Sequence, residues 1–360
     1  MLVGAVVSLV LGYVVLRLVT AGIVLVWETI PESLGSTPAW YVLGVLLIGA
    51  VLVYLVRSRL GDTGHSPLNG ISVSPLTPRE YLAAILAIVA SLFGGVVLGP
   101  EVALVATGAV IGGIVARRMH ADDVTKVVGV SSLGAILALF VGPLLSGTLS
   151  LDGAPTSIEV DQMGWAIGVA LVTTVAVALA RLVAALVARA TGAGPHLLIL
   201  VGAAIVIGIT ALALNSWTGA PVLYVVTSGE EMISELPTVT TASTVVAIIV
   251  LKSIAYAVSM GAGFRGGPFF PVMFVGAAVG LLAALVLPDG PQTQAAMIVG
   301  VVAAVIATAP MSWKVAIILG AAIGFAMGGW ALVPAAIIAA VVSRAVPRWG
   351  DRIVSSQHGT

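Results

Sequence analysis

The chain contains no cysteine, so disulfides and thiolate chemistry are excluded. Charge is almost as scarce. Only 8% of the 360 residues are Asp, Glu, Lys or Arg, and they sum to a net charge of zero. A nucleic-acid partner needs a basic face, and this balance provides none. The four histidines (65, 120, 196 and 358) have no metal-ligand spacing, so neither a metal nor another cofactor is expected. What is abundant is apolar: 60% of the residues are hydrophobic, and the mean hydropathy is +1.19. No water-soluble domain has that composition; it describes a polytopic protein of the lipid bilayer. The 42 glycines suit membrane helices that pack closely or break.

A spanning helix needs about 20 apolar residues. Residues 1–27 and 37–56 qualify, separated by an acidic, Pro-bearing loop with Glu28, Pro31 and Glu32. Arg57 and Arg59 follow the second run, which puts that end and the N-terminus on the cytoplasmic side. A third run covers 80–98, and a shorter helix of about 101–116 is closed by Arg117 and Arg118. Runs at 127–141 and 163–188 complete a first half, and Thr191–Pro195 reads as a linker. The second half carries runs at 196–214, 239–260, 268–287, 293–309, 312–327 and 330–346. The expected organisation is therefore 1–190 and 191–360, with no soluble domain appended.

One ionisable residue sits inside the apolar stretch Gly94–Gly113: Glu101, directly after Gly99-Pro100. A carboxylate inside a membrane costs about 2.5–3.5 kcal/mol, so it needs a reason. Proline suits the first helical position, which makes Gly99-Pro100 a helix start with Glu101 in its first turn. The N–H groups of that turn carry partial positive charge. The pattern recurs. Gly99-Pro100 with Gly108, Ala109 and Gly112 matches Gly267-Pro268 with Gly276, Ala277 and Gly280. The offset, 268 minus 100, is 168 residues, and it also relates Ser91 and Gly95 to Ser259 and Gly263. Ser91 and Ser259 read as helix-packing residues. Phe269 stands where the first copy has Glu101, so the acid is not required by the repeat's packing. Broken helices at matching places in two halves point to a transport site that holds an anion at helix N-termini.

These residues resemble the CLC chloride channel and chloride/proton antiporter family, in particular its divergent bacterial, YfeO-like branch. The family's G-[KR]-E-G-P motif is matched by Gly99-Pro100-Glu101-Val102-Ala103, and its G-x-F-x-P motif by Gly267-Pro268-Phe269-Phe270-Pro271. The third motif, G-S-G-I-P, is degraded to Thr63-Gly64-His65-Ser66-Pro67. The resemblance covers essentially the whole chain. It implies an all-α polytopic membrane fold: a CLC-like inverted repeat of tilted and re-entrant helices, with broken helices meeting at the midplane. It also implies a multi-pass homodimer in the bacterial inner membrane, with both termini cytoplasmic and one anion path per subunit.

By that resemblance Glu101 is the gate, a carboxylate that competes with the anion for helix N-termini. Thr63, Gly64, His65, Ser66, Gly99, Val102, Gly267, Phe269 and Phe270 are the anion-binding positions, and Lys252 and Arg265 are electrostatic candidates. Lys252 reads equally well as a snorkelling or helix-terminus lysine.

The sequence also departs from the family pattern. Pro100 and Pro268 each delete an N–H, and no tyrosine follows Tyr256. Thr148–Ala154 holds Asp152 but no glutamate for a proton path. The expected function is transport of small, chloride-like anions through a glutamate-gated path. Proton-coupled antiport, and transport of fluoride or another anion or solute, stay open as alternatives. An intramembrane serine protease would have to bring Ser146 and His196 together without a G-x-S-G motif, and an aspartyl protease lacks intramembrane Asp pairs. A cation path along Glu101 is opposed by the nearby charges of Lys252 and Arg265.

Overall fold

A computed structural model of the chain describes residues 2–61, 68, 73–120, 122–139, 163–192, 196–287 and 290–346. They form two compact units that interleave along the sequence. The first contains Met1–Ser146, Val187–Ile209 and Val258–Pro268; the second contains Gly147–Leu186, Thr210–Ala257 and Phe269–Thr360. Among the described residues the elements are helices, and the extended pairing is a single isolated bridge between Gly99 and Gly267.

The helices are α1 (Leu2–Val24), α2 (Ile30–Ser33), α3 (Ala39–Leu60), α4 (Pro78–Phe93), α5 (Glu101–Arg118) and α6 (Val124–Ile136). They continue with α7 (Gly164–Thr191), α8 (Leu197–Thr218), α9 (Ala242–Gly261), α10 (Phe269–Val286), α11 (Thr293–Thr308) and α12 (Trp313–Ala345). Seven helical stretches among the described residues are long and apolar enough to cross a membrane, as a polytopic membrane protein requires.

One segment differs from the sequence reading: the acidic stretch expected to be a loop after the first run is helical. A π-turn over Leu25–Thr29 joins α1 to α2, and Pro31 lies in α2 directly after it. The π-turn carries Trp27, which is buried and donates its indole N–H to the Phe93 carbonyl at 3.0 Å. The 33 residues of α12 are not one span, in line with the two runs expected at 312–327 and 330–346. Gly329 has φ +65° and breaks the helix. Cβ atoms placed on Gly320 and Gly324 would meet those of Ala340 and Ala336. Residues twenty positions apart lie about 30 Å apart in a continuous helix, so the two arms fold back on each other. The paired apolar runs at 312–327 and 330–346 are the arms of this hairpin. At its open end the Arg344 guanidinium lies 5.2 Å from the Trp313 ring centre, and its Nε donates to the Met311 carbonyl at 2.8 Å.

The 168-residue repeat reappears as packing inside each unit. In the first unit α5 lies on α6: a Cβ at Gly108 would strike the backbone of Ser132, and one at Gly112 that of Val128. In the second unit α10 lies on α11: a Cβ at Gly276 would strike the Gly300 carbonyl, and one at Gly280 the Ala296 carbonyl. Each residue of the first contact pair is 168 positions before its counterpart. Glycine every fourth residue lets two helix backbones touch, which replaces the missing hydrophobic drive between helices in lipid with close van der Waals contact. α1 packs on α6 in the same way, with Gly12 against Ala135 and Gly134 against Ala5.

Replacing Gly108 or Gly276 with leucine forces these backbones apart and costs about 1–3 kcal/mol or more. Gly202→Ala on α8, where an added Cβ meets nothing within 4 Å, serves as a near-neutral control. The expected result is a clear fall in thermal unfolding midpoint in detergent for both leucine variants and little change for the control.

Candidate functional site

The site is built in the first unit from two loops that follow two helices. α4 is started by a capping box in which Thr77 accepts from the Glu80 N–H while Glu80 accepts from the Thr77 N–H. It ends at Phe93, and the chain turns at Gly95, where φ is +78°. α9 ends at Gly261, and the chain turns at Gly263, where φ is +90°. Both turns use the left-handed region open to glycine, and both lie at the same place in the repeat. The two loops then meet antiparallel. The Gly99 N–H donates to the Gly267 carbonyl and the Gly267 N–H to the Gly99 carbonyl, each at 2.7 Å. Gly99 and Gly267 are partners by the same offset, so this bridge pairs the repeat with itself.

α5 begins immediately after the bridge. Pro100 is its N-cap, with φ −78° and ψ −8°, rather than its first helical residue; Glu101 takes that place. From Glu101 to Gly113 every residue of α5 is buried, and exposure begins at Ile114. Glu101 is 4% exposed. Its carboxyl lies against both bridge glycines, and a Cβ on either Gly99 or Gly267 would overlap it. The two glycines thus form the seat of the carboxyl. Val102 offers a first-turn N–H that has no acceptor within the helix.

The loops are held from several sides. The Val97 N–H donates to Ser259 Oγ at 3.2 Å, and the Arg265 N–H to Ser91 Oγ at 3.1 Å. Arg57 Nη1 donates to the Gly263 carbonyl at 2.8 Å. Arg57 was legible only as a cytoplasmic flank beside Arg59, and Trp27 carried no signal. Arg265 itself is buried, two residues before the bridge.

The second unit contains Lys252. It is fully buried on α9, and its Nζ reaches the carbonyl oxygens of Val225, Val226 and Thr227 at 3.3, 3.5 and 3.3 Å. The ammonium also lies 4.5 Å from the centre of the Phe274 ring. Three carbonyls match the three protons of an ammonium. α10 begins at Phe269, immediately after Pro268, so Phe269 and Phe270 occupy its first turn.

A model of the family described as voltage gated chloride channel matches residues 124–348. The chain belongs to this family. It is 26% identical over 297 residues to the "Putative ion-transport protein YfeO" of Salmonella newport (strain SL254), and equally to that of Salmonella typhimurium (strain LT2). The match spans 71% of this chain and 72% of each relative. Among solved structures, a slow cyanobacterial Cl−/H+ antiporter superimposes on 99% of this chain and 97% of its own, with a TM-score of 0.76 at 15% identity. A CLC-type fluoride/proton antiporter superimposes on 96% of this chain and 94% of its own, with a TM-score of 0.67 at 16% identity. At those identities the likeness is one of fold.

In this member of the family, the expected site residues divide into three groups. Glu101, Val102, Gly99, Gly267 and Arg265 come together in the first unit. Phe269, Phe270 and Lys252 belong to the second. Thr63, Gly64, His65, Ser66 and Asp152 lie outside the described residues. The N–H groups of Gly99 and Gly267 are taken by the bridge, because two antiparallel extended segments in an apolar setting satisfy each other first. Lys252 does not snorkel; it fits the helix-terminus expectation, with its Nζ on the carbonyls that follow the Val222–Tyr224 helical turn. Replacing Lys252 with methionine leaves buried carbonyls without a donor and costs about 2 kcal/mol or more. The expected readout is a lowered unfolding midpoint in detergent for Lys252→Met.

Proposed function

We propose that the protein carries small monovalent anions of the chloride class across a membrane, with the Glu101 carboxylate as the gate. The observation that carries this reading is the seat of Glu101: a buried carboxyl at the first residue of a helix buried from Glu101 to Gly113, closed in by two bridge glycines. A helix N-terminus favours negative charge through its unshared N–H groups and its dipole. A carboxylate and a small anion are therefore competitors for the same place. With the carboxylate seated, the first-turn N–H groups of α5 face it; protonated or swung aside, it leaves them to the anion. Val102 supplies one donor in this scheme. Phe269 and Phe270 hold the equivalent first-turn positions of α10, and Thr63, Gly64, His65 and Ser66 are the candidates on the third motif. Arg265 adds positive charge close to the bridge, where the first motif has proline in place of the family's basic residue.

Family membership supports a membrane ion path. The rest of the reading adds a homodimer with one path per subunit, two inverted halves over 1–190 and 191–360, and cytoplasmic termini at the bacterial inner membrane. A second reading is exchange of the anion for protons. It is favoured by one feature, a buried titratable carboxyl in the path, and by the fold's likeness to two structures described as proton antiporters. The stretch Thr148–Ala154 without a glutamate weighs against it.

Both readings are tested by anion efflux from liposomes, run with chloride, fluoride, nitrate and bromide while proton movement is followed. Glu101→Gln and Glu101→Ala should change the efflux rate by about tenfold, which is about 1.4 kcal/mol on the barrier, and remove most of its pH dependence. Wild-type rates and pH dependence in both variants would overturn the gate. Proton movement in fixed proportion to anion flux, abolished by Glu101→Gln, would select the exchanger.

A further inference from the structure

Ser91 and Ser259 stand two residues before the ends of α4 and α9, and both are completely buried. Each hydroxyl holds the loop that follows the other helix. Ser259 on α9 receives the N–H of Val97, in the loop after α4, and Ser91 on α4 receives the N–H of Arg265, in the loop after α9. Residues 97 and 265 are separated by 168, as are 91 and 259. The two bonds are therefore images of each other, one on either side of the Gly99–Gly267 bridge. Ser91 also donates to the Ala87 carbonyl at 2.9 Å, which orients its oxygen towards the incoming N–H.

We propose that Ser91 and Ser259 are positioning residues that form a crossed clasp, setting the register of the Gly99–Gly267 bridge and through it the seat of Glu101. This inference rests on the reading of Glu101 as the gate. The physical reason is the accounting of buried amides. The loops run through apolar surroundings, where an N–H left without an acceptor keeps its full desolvation cost. Each loop has one such N–H facing the other loop's helix, and a serine is short enough to accept it where the backbones lie this close. With the clasp closed, one loop slides past the other only by breaking four hydrogen bonds: two at the bridge and one at each serine. The carboxyl of Glu101 packs on the bridge glycines of both loops, so a slip of either loop changes the space it occupies. Helix packing alone requires a small residue at these positions; the clasp requires an oxygen.

The test is a double-mutant cycle on the full chain reconstituted in liposomes. Chloride efflux, normalised to folded protein, is measured for wild type, Ser259→Ala, Glu101→Gln and Ser259→Ala/Glu101→Gln, each over a range of chloride concentrations. The expected result is a change of about threefold or more in the maximum rate for Ser259→Ala, absent in the Glu101→Gln background. Ser91→Ala should behave likewise, with a smaller effect because the loop it releases does not lead into α5. It provides the test if Ser259→Ala does not fold. The same fold-change in both backgrounds, or no change in either, overturns the clasp while leaving the gate standing. Glu101→Gln indistinguishable from wild type overturns the gate, and the clasp with it.

Discussion

Two glycines that hydrogen-bond only to each other are the constraint on which the first unit is arranged. In an apolar interior a backbone segment that leaves its helix must find partners for its N–H and C=O groups. The loops after α4 and α9 find them across the repeat, Gly99 with Gly267. That choice forces the rest. The residues must be glycine because the Glu101 carboxyl occupies the space a side chain would need. The left-handed turns at Gly95 and Gly263 follow because each loop has to reverse away from its helix to reach the bridge. The serines at 91 and 259 and the guanidinium of Arg57 take up backbone groups that the short bridge leaves over.

The same economy explains the two basic side chains that read as electrostatic candidates. A buried ammonium persists when its three protons have acceptors, and Lys252 has three carbonyls and an aromatic face. Its charge is spent on a turn of irregular backbone. Arg265 differs, because its backbone N–H is held by Ser91 and its position is two residues from the bridge.

Close backbone contact is the other theme. α5 on α6 in one unit and α10 on α11 in the other are held through glycines at matching positions, and the α12 hairpin folds on Gly320 and Gly324. Helices joined this way have little freedom to adjust, since a glycine contact has no side chain to repack. In the proposed function one side chain moves while this scaffold stays in place. That suits a carboxyl whose seat is backbone.

The sequence by itself determined the class and much of the outline. Hydropathy marked a polytopic membrane protein, and Gly-Pro pairs marked the starts of α5 and α10 within a residue, because proline and glycine act on the local backbone. The break between residues 327 and 330 was legible for the same reason. The offset of 168 already paired Ser91 with Ser259 and Gly95 with Gly263. What it could not reveal was which N–H goes to which acceptor. The consumption of the Gly99 and Gly267 amides, the crossing of the serines to the opposite loops, the capture of Lys252 by the 225–227 turn and the helical path through Glu28–Glu32 were decided by tertiary structure. Hydrogen-bond partners far apart in sequence are chosen by which buried groups end up adjacent, and a one-dimensional pattern carries the residue types without that adjacency. Glu101 shows the division: its burial need and its helix start are written locally, while the two-sided glycine seat exists only once residue 99 meets residue 267.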